Sequence, residues 1–314
     1  MSDQPSVERL LFIGSKRLGR LALERAIDIL GAHRIAAATV DDSADERSEL
    51  SGFRSLCSDR GVELAVLAKP SELDAVVTRV QPTAALVLGW YWILPPSTVA
   101  RVPRGIAGIH ASLLPALRGN APLVWARLLG LRETGVSLFF FDDGIDTGDV
   151  IDQRRFAIDP EDTIAELLQK ADACAADLVA NNLEGLLRGT ASRSPQPTEG
   201  VSYVGLRRPV DGRIDWRCPA PQIINAIRAQ TRPYPGAFTT NADGRMFRIW
   251  AASEFPHPFH GAPGRVAHRT TTGVVIGCGE GAIVVHEIDG DLALLRWGTE
   301  LGANPLSRPG DGEP

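Results

Sequence analysis

The sequence predicts an α/β protein, with a mostly parallel sheet between helix layers followed by a smaller β-barrel-like domain. Three observations carry this. Short runs that are apolar on both faces alternate with helical patterns through the first part of the chain, as strands buried between helices do. A polar, proline-containing stretch then breaks the pattern once. Beyond it, short strands recur at roughly ten-residue spacing with Gly or Asp turns between them. At 314 residues the chain can hold two such domains, each with its own core.

The first βα unit is ERLLFIG followed by KRLGRLALERAIDIL, a short apolar run passing through a glycine turn into a helical repeat. HRIAAATV, VELAVLA, TAALVLG and GIAGIH supply the next buried strands, and GVSLFFF and DVIDQRRFAI two more. EDTIAELLQKADACAADLVANNLEGLLRG reads as a long amphipathic helix with acids in its first turn, which suits the positive end of the helix dipole. A first domain is therefore expected over 1–188. Residues 189–204, including TASRSPQPTEGVS, are expected to form a linker, because they show no periodicity.

The second domain, 205–300, opens with the helix APQIINAIRAQ. It continues through AFTTN, MFRIWAA, GRVAH, GVVIG, AIVVHEI and LALLRW as strands. The tail 301–314 is expected to be disordered.

Composition excludes several classes. Hydrophobic residues at 44% and charged residues at 23% suit a soluble globular protein, and no apolar run approaches the roughly 18 residues a membrane helix needs. MSDQPSVERLLFIG lacks the basic start of a secretory leader, so a cytoplasmic location is expected. The four cysteines are widely spaced, which predicts neither a disulfide framework nor a metal site. A net charge of −5 argues against an electrostatic grip on nucleic acid. GSKRLG, residues 14–19, follows a strand but lacks the spacing of a dinucleotide fingerprint and reads as a tight turn. Asp41 and Asp42 end the second strand without a clear ribose-binding pattern.

His110 stands where a buried strand meets its loop, the end at which open α/β sheets bind ligands. Past the following strand come Asp142, Asp143, Asp146 and Asp149. Four carboxylates over eight residues, beside a strand-end histidine, are an environment that perturbs an imidazole's protonation. Trp90, Tyr91 and Trp92 gather aromatic area after TAALVLG.

HASLLPALRGNAP followed by GVSLFFFDDGIDTGDVI resembles the signature of the 10-formyltetrahydrofolate-dependent formyltransferases, a family whose motif reads N-x-H-x-S-L-L-P-x-x-R-G with a D-x-G-x-x-x-G-D type loop. The likeness runs from about residue 9 to 290, since GRIDW and RPYPGAF resemble the C-terminal half. The resemblance implies a Rossmann-like sheet of the formyltransferase fold and an OB-like barrel. It also implies formyl transfer from 10-formyltetrahydrofolate, a co-substrate, to a primary amine without a metal. His110 would be proton donor and acceptor, and Asp146 its partner. Trp92, Ile93 and Leu94, the turn Ser112, Leu113, Leu114 and Pro115, Asn120, and the loop Asp142, Asp143, Gly144 and Ile145 would line the folate pocket.

The departure is Gly108, where the family carries asparagine. Glycine offers no side-chain donor to a developing oxyanion, and such a loss costs ~10² to 10³ in rate. Ser112, Asn120, protonated His110 or a water in the vacated space are the candidate replacements.

DDSADERSELSGF stands where methionyl-tRNA formyltransferases carry a basic insertion, so an amino-sugar nucleotide is the expected acceptor and tRNA is disfavoured. Arg207 and Arg208 are candidates for a phosphate. The alternatives are a catalytically reduced member that binds folate or a sugar nucleotide without efficient turnover, and a formyltetrahydrofolate hydrolase. The sequence leaves oligomeric state open, a homodimer included.

Overall fold

The structure is a computed structural model that describes residues 8–45, 48–90 and 92–302. Contacts gather into two compact units. One is built from residues up to 119 together with 134–156 and 170–204; the other takes 120–133, 157–169 and the chain from 205 onward.

The first unit is a seven-stranded sheet. In chain order its strands are β1 (Leu10–Gly14), β2 (Ile35–Val40), β3 (Glu63–Leu67), β4 (Ala84–Leu88) and β5 (Ile106–His110). After the two-residue β6 (Arg118–Gly119) come β7 (Glu133–Phe140) and β8 (Val150–Ala157). The order across the sheet is β3-β2-β1-β4-β5-β7-β8. The first five strands run parallel, and β7 lies antiparallel to β5. Every residue of β1, β2 and β4 is buried, which explains runs without alternation: both faces meet helices.

The main helices are α1 (Lys16–Leu30), α2 (Leu50–Arg60), α3 (Leu73–Val80), α4 (Pro96–Val99), α5 (Pro122–Leu128), α6 (Ile164–Arg188) and α7 (Ala220–Arg228). Helix α1 buries Gly19, Ala22, Leu23, Ala26, Ile27 and Leu30, the i, i+3, i+4, i+7 stripe of a helix lying on a sheet.

The turn from β1 into α1 is tight because backbones meet there. A methyl on Gly14 or Gly19 would stand 3.0 Å from the Leu88 carbonyl oxygen. Asp42 is engaged by Lys16 (2.5 Å) and the Ser48 hydroxyl (2.5 Å).

The expected linker is structured. Its end forms β9 (Tyr203–Val204), which pairs in parallel with β6.

The second unit holds β10 (Ala237–Thr240), β11 (Met246–Glu254), β12 (Val266–Arg269), β13 (Val274–Gly277) and β14 (Ala282–Asp289) in an antiparallel sheet of order β10-β11-β14-β13-β12. The segment 298–302 joins the two edges. It bonds Val266 and Gly264 on one side and Thr240 on the other, and Leu301 bridges Asn241. Leu301 and Gly302 thus belong to this closure, and the rest of the expected tail, 303–314, lies outside the described residues.

LALLRW is not a strand. Leu292–Leu294 form a 3₁₀ turn capped by Asp291, whose carboxylate accepts from the Ala293 N–H at 2.9 Å. Local side-chain capping here outcompetes pairing.

All four cysteines are free. Burial pushes the Cys57 thiol up to about 11 and the Cys278 thiol up to about 12, so neither is a thiolate at neutral pH. Among the described residues, no helix is long and apolar enough to cross a membrane.

Candidate active site

His110 is the last residue of β5 and is buried. Its Nε2 lies 2.8 Å from the Leu117 carbonyl oxygen. A carbonyl only accepts, so Nε2 carries a proton and donates it there. Nδ1 is the nitrogen left to exchange a proton, and it faces the Asp146 Oδ2 at 3.5 Å. That distance is long for a hydrogen bond and within reach of an ion pair. The same Oδ2 accepts the Gly119 N–H at 2.8 Å. One chain segment thus fixes the pair: the stretch after β5 holds the imidazole through Leu117 and the carboxylate through Gly119. Leu117 (φ +56°) and Asp146 (φ +54°) both adopt the left-handed conformation, which costs an L-residue about 1 to 3 kcal/mol unless its surroundings impose it.

The turn between them is rigidly bonded. The fully buried Ser112 hydroxyl donates to the Ala116 carbonyl at 2.5 Å. The Ser137 hydroxyl receives Leu114 N–H (3.0 Å) and Gln153 Nε2 (2.7 Å) while donating to the Ser112 carbonyl (2.7 Å). Leu114 and Pro115 are buried in this turn and Leu113 is half-buried.

The register of β5 against β7 pairs Gly108 with Phe139 and His110 with Ser137. Side chains alternate along a strand, so Gly108, His110, Ser137, Phe139 and Phe141 share one face. A methyl built on Gly108 would fall 2.4 to 2.6 Å from the Phe141 ring. The first atom of an asparagine side chain at this position therefore meets the Phe141 ring, which occupies that space. Ser112 is no substitute donor, since its hydroxyl is engaged within its own turn. Asn120 belongs to the second unit, where its amide oxygen accepts the Arg207 N–H at 3.2 Å. Protonated His110 has its Nε2–H committed to the Leu117 carbonyl, so only its Nδ1 side, which faces Asp146 at 3.5 Å, is not closed by a short hydrogen bond.

Phe141 also packs with Trp90, Trp92 and Leu94 against the apolar cluster beside β4 and β5. The Trp90 and Trp92 rings meet edge to face with centroids 5.2 Å apart. The Trp90 indole N–H is buried and has no partner among the described residues. Tyr91 lies outside the described residues. Ile93 and Ile145 are strongly exposed, at 88% and 63%. Asp142 builds its own loop, accepting from Gly144 N–H (3.0 Å) and the Thr147 hydroxyl (2.6 Å); Asp143 and Gly144 are exposed beside it.

Of the two arginine candidates for a phosphate, Arg207 has its side chain engaged elsewhere. Arg207 donates to the Asp211 carbonyl (2.9 Å) and Gln230 Oε1 (2.8 Å) and lies over the Trp125 ring. The Arg208 backbone N–H donates to Asp211 at 2.6 Å. No group of His, Cys, Asp and Glu among the described residues could hold a metal ion.

A family profile described as "Formyl transferase" matches residues 47–181, and one described as "Formyl transferase, C-terminal domain" matches residues 208–291. The chain belongs to the formyltransferase family. A methionyl-tRNA formyltransferase of Burkholderia pseudomallei (strain 668) is 41% identical over 209 residues, 66% of this chain and 63% of the relative. One from Symbiobacterium thermophilum is 39% identical over 225 residues, 71% of this chain and 66% of the relative. The match therefore spans a little under two thirds of these relatives' length.

Among solved structures, WlaRD is described as a sugar 3N-formyl transferase, in the presence of dTDP and 5-N-formyl-THF. It superposes with a TM-score of 0.67 at 19% identity, covering 89% of this chain and 97% of that one. An N-formyltransferase from Helicobacter canadensis, in complex with folinic acid and dTDP-3-aminofucose, gives 0.67 at 20%, covering 89% and 99%. At these identities the likeness speaks for the fold.

Proposed function

We propose that this formyltransferase-family chain moves a formyl group from 10-formyltetrahydrofolate to a primary amine on a small molecule, most favourably an amino-sugar nucleotide. The observation that carries the reading is buried His110 at the C-terminal end of β5 with the half-buried Asp146 carboxylate facing its Nδ1 at 3.5 Å. Transfer of a formyl carbon from one nitrogen to another requires the attacking amine to lose a proton and the leaving nitrogen to gain one. One imidazole can serve both steps, with the carboxylate stabilising its charged form. Trp90, Trp92, Leu94 and Phe141 offer flat apolar walls for a heterocycle, and the unpartnered Trp90 N–H suits its polar edge. Ile93, Ser112 to Pro115, Asn120 and Asp142 to Ile145 remain the further positions proposed for this pocket from the sequence.

The acceptor reading rests on the acidic segment around Asp41, Asp42 and Asp45, a poor surface for an acceptor stem. The 41% identity to methionyl-tRNA formyltransferases favours tRNA as the second reading. Phe141 over Gly108 favours a third, a member with reduced turnover.

The test is to incubate the protein with 10-formyltetrahydrofolate and either dTDP-3-aminofucose, other nucleotide-linked amino sugars, or methionyl-tRNA, and to detect the formyl amide by mass spectrometry. Product on a sugar supports the proposal, and product on tRNA alone replaces its acceptor. Folate binding without transfer to any amine supports reduced turnover. Formate release without an amine identifies a hydrolase.

A further inference from the structure

The stretch 194–204 has the composition of a linker, yet its backbone is bonded at both ends to the active-site loops. Ser194 pairs with Val150, exchanging hydrogen bonds of 2.8 and 3.0 Å. Ser202 receives the Arg118 N–H on its carbonyl (2.9 Å) and the Leu117 N–H on its hydroxyl (2.9 Å), and its own N–H donates to the Pro115 carbonyl (3.3 Å). Tyr203 and Val204 then pair with Arg118 and Gly119. Between these anchors, Gln196 turns its side chain inward. Its Nε2 donates to the carbonyls of Asp146 and Gly148, 2.8 Å each. Its Oε1 accepts from the buried Arg118 at Nε (3.1 Å) and Nη2 (2.6 Å), and Arg118 Nη1 donates to the Tyr203 hydroxyl (3.0 Å).

We infer that Gln196 is a positioning residue for the His110–Asp146 pair, acting by tying the loop that carries the carboxylate to the loop that carries the imidazole's acceptor. Both loops hold a left-handed non-glycine residue, Asp146 and Leu117, and neither conformation is favourable unless imposed. The amide suits the task because it presents two donors to two carbonyls and an acceptor to a guanidinium. All of its hydrogen-bonding capacity is used. Glutamate would keep the bond to Arg118 but set an oxygen against two carbonyls. Methionine keeps the length and offers neither. The inference rests on the proposed role of the pair, and its test separates the two.

The experiment reads the ring ¹⁵N resonances of His110, assigned by their loss in His110→Asn, in the substrate-free protein. Gln196→Glu and Gln196→Met, each checked for an intact fold by circular dichroism, should move these resonances in the direction seen for Asp146→Asn. Adding either change to Asp146→Asn should move them no further. Formyl transfer should fall on the order of 10- to 100-fold in Gln196→Glu with the KM for 10-formyltetrahydrofolate within about twofold, the pattern of misplaced catalytic groups rather than lost binding. Should Gln196→Glu not fold, Gln196→Met carries the test. Unmoved resonances in the folded variants overturn the inference, as does a further shift of equal size in the Asp146→Asn background. Full transfer by Asp146→Asn would overturn the role of the pair instead and leave the positional coupling standing.

Discussion

Two histidines of this chain are bonded alike and placed differently. His110 donates from Nε2 to the Leu117 carbonyl, and His286 donates from Nδ1 to the Thr272 carbonyl at 3.0 Å. Each main-chain acceptor fixes the tautomer and leaves the other nitrogen for a partner: Asp146 for His110, and the Ser253 hydroxyl (2.7 Å) for His286. His110, however, is buried at the end of a strand in a mostly parallel sheet, with an ionisable carboxylate at Nδ1 and the Phe139 ring edge-on with its centroid 6.5 Å away. His286 is exposed on the face of an antiparallel sheet. A main-chain acceptor on one ring nitrogen and a polar partner at the other do not by themselves distinguish an imidazole proposed for catalysis from a structural one. Burial, a charged partner and a strand end opening to ligand do, because in a dry setting the proton's position carries a larger energy.

The largest effect expected from this contrast is at His110. His110→Ala should lower formyl transfer on the order of 10⁴-fold, to the level of the assay blank, with the folate donor still binding by calorimetry. Asp146→Asn should follow at roughly 10³-fold, since it keeps the Gly119 N–H acceptor and removes the charge facing Nδ1.

Next comes Gly108. Asparagine there meets the Phe141 ring, so Gly108→Asn alone should destabilise the fold by about 1 to 3 kcal/mol in urea titration without raising the rate. Paired with Phe141→Ala, which clears the space, it should raise the rate by ~10² by returning a side-chain donor. A rate gain from Gly108→Asn alone would show that the ring yields easily.

The smallest effect belongs to the other histidine. His286→Ala should leave kcat/KM within about twofold, and a larger loss would break the contrast.

The strands of the first sheet were legible because burial on both faces removes alternation, and the run of five parallel strands inherits that signature. His110 was legible from its place at a strand end, and Asp146 from its motif. Phe141's position over Gly108 was not, since it depends on the β5–β7 register, and a run of three phenylalanines carries no alternation from which to read a face. Gln196 was hidden for a different reason. It sits in a segment whose only regular pairing is two residues long, and its partners are main-chain carbonyls and an arginine 78 residues away, which leave no local pattern in sequence. Asn120 and Arg207 were legible as polar residues near motifs, but the structure bonds them to each other within the second unit.

The measurement closest to the central claim is a double-mutant cycle on formyl transfer with His110→Ala, Asp146→Asn and the two combined. If the carboxylate works through the imidazole, the combined variant is no slower than His110→Ala alone. Losses that multiply, or an Asp146→Asn enzyme as fast as the natural one, would mean that the two residues do not act as a pair.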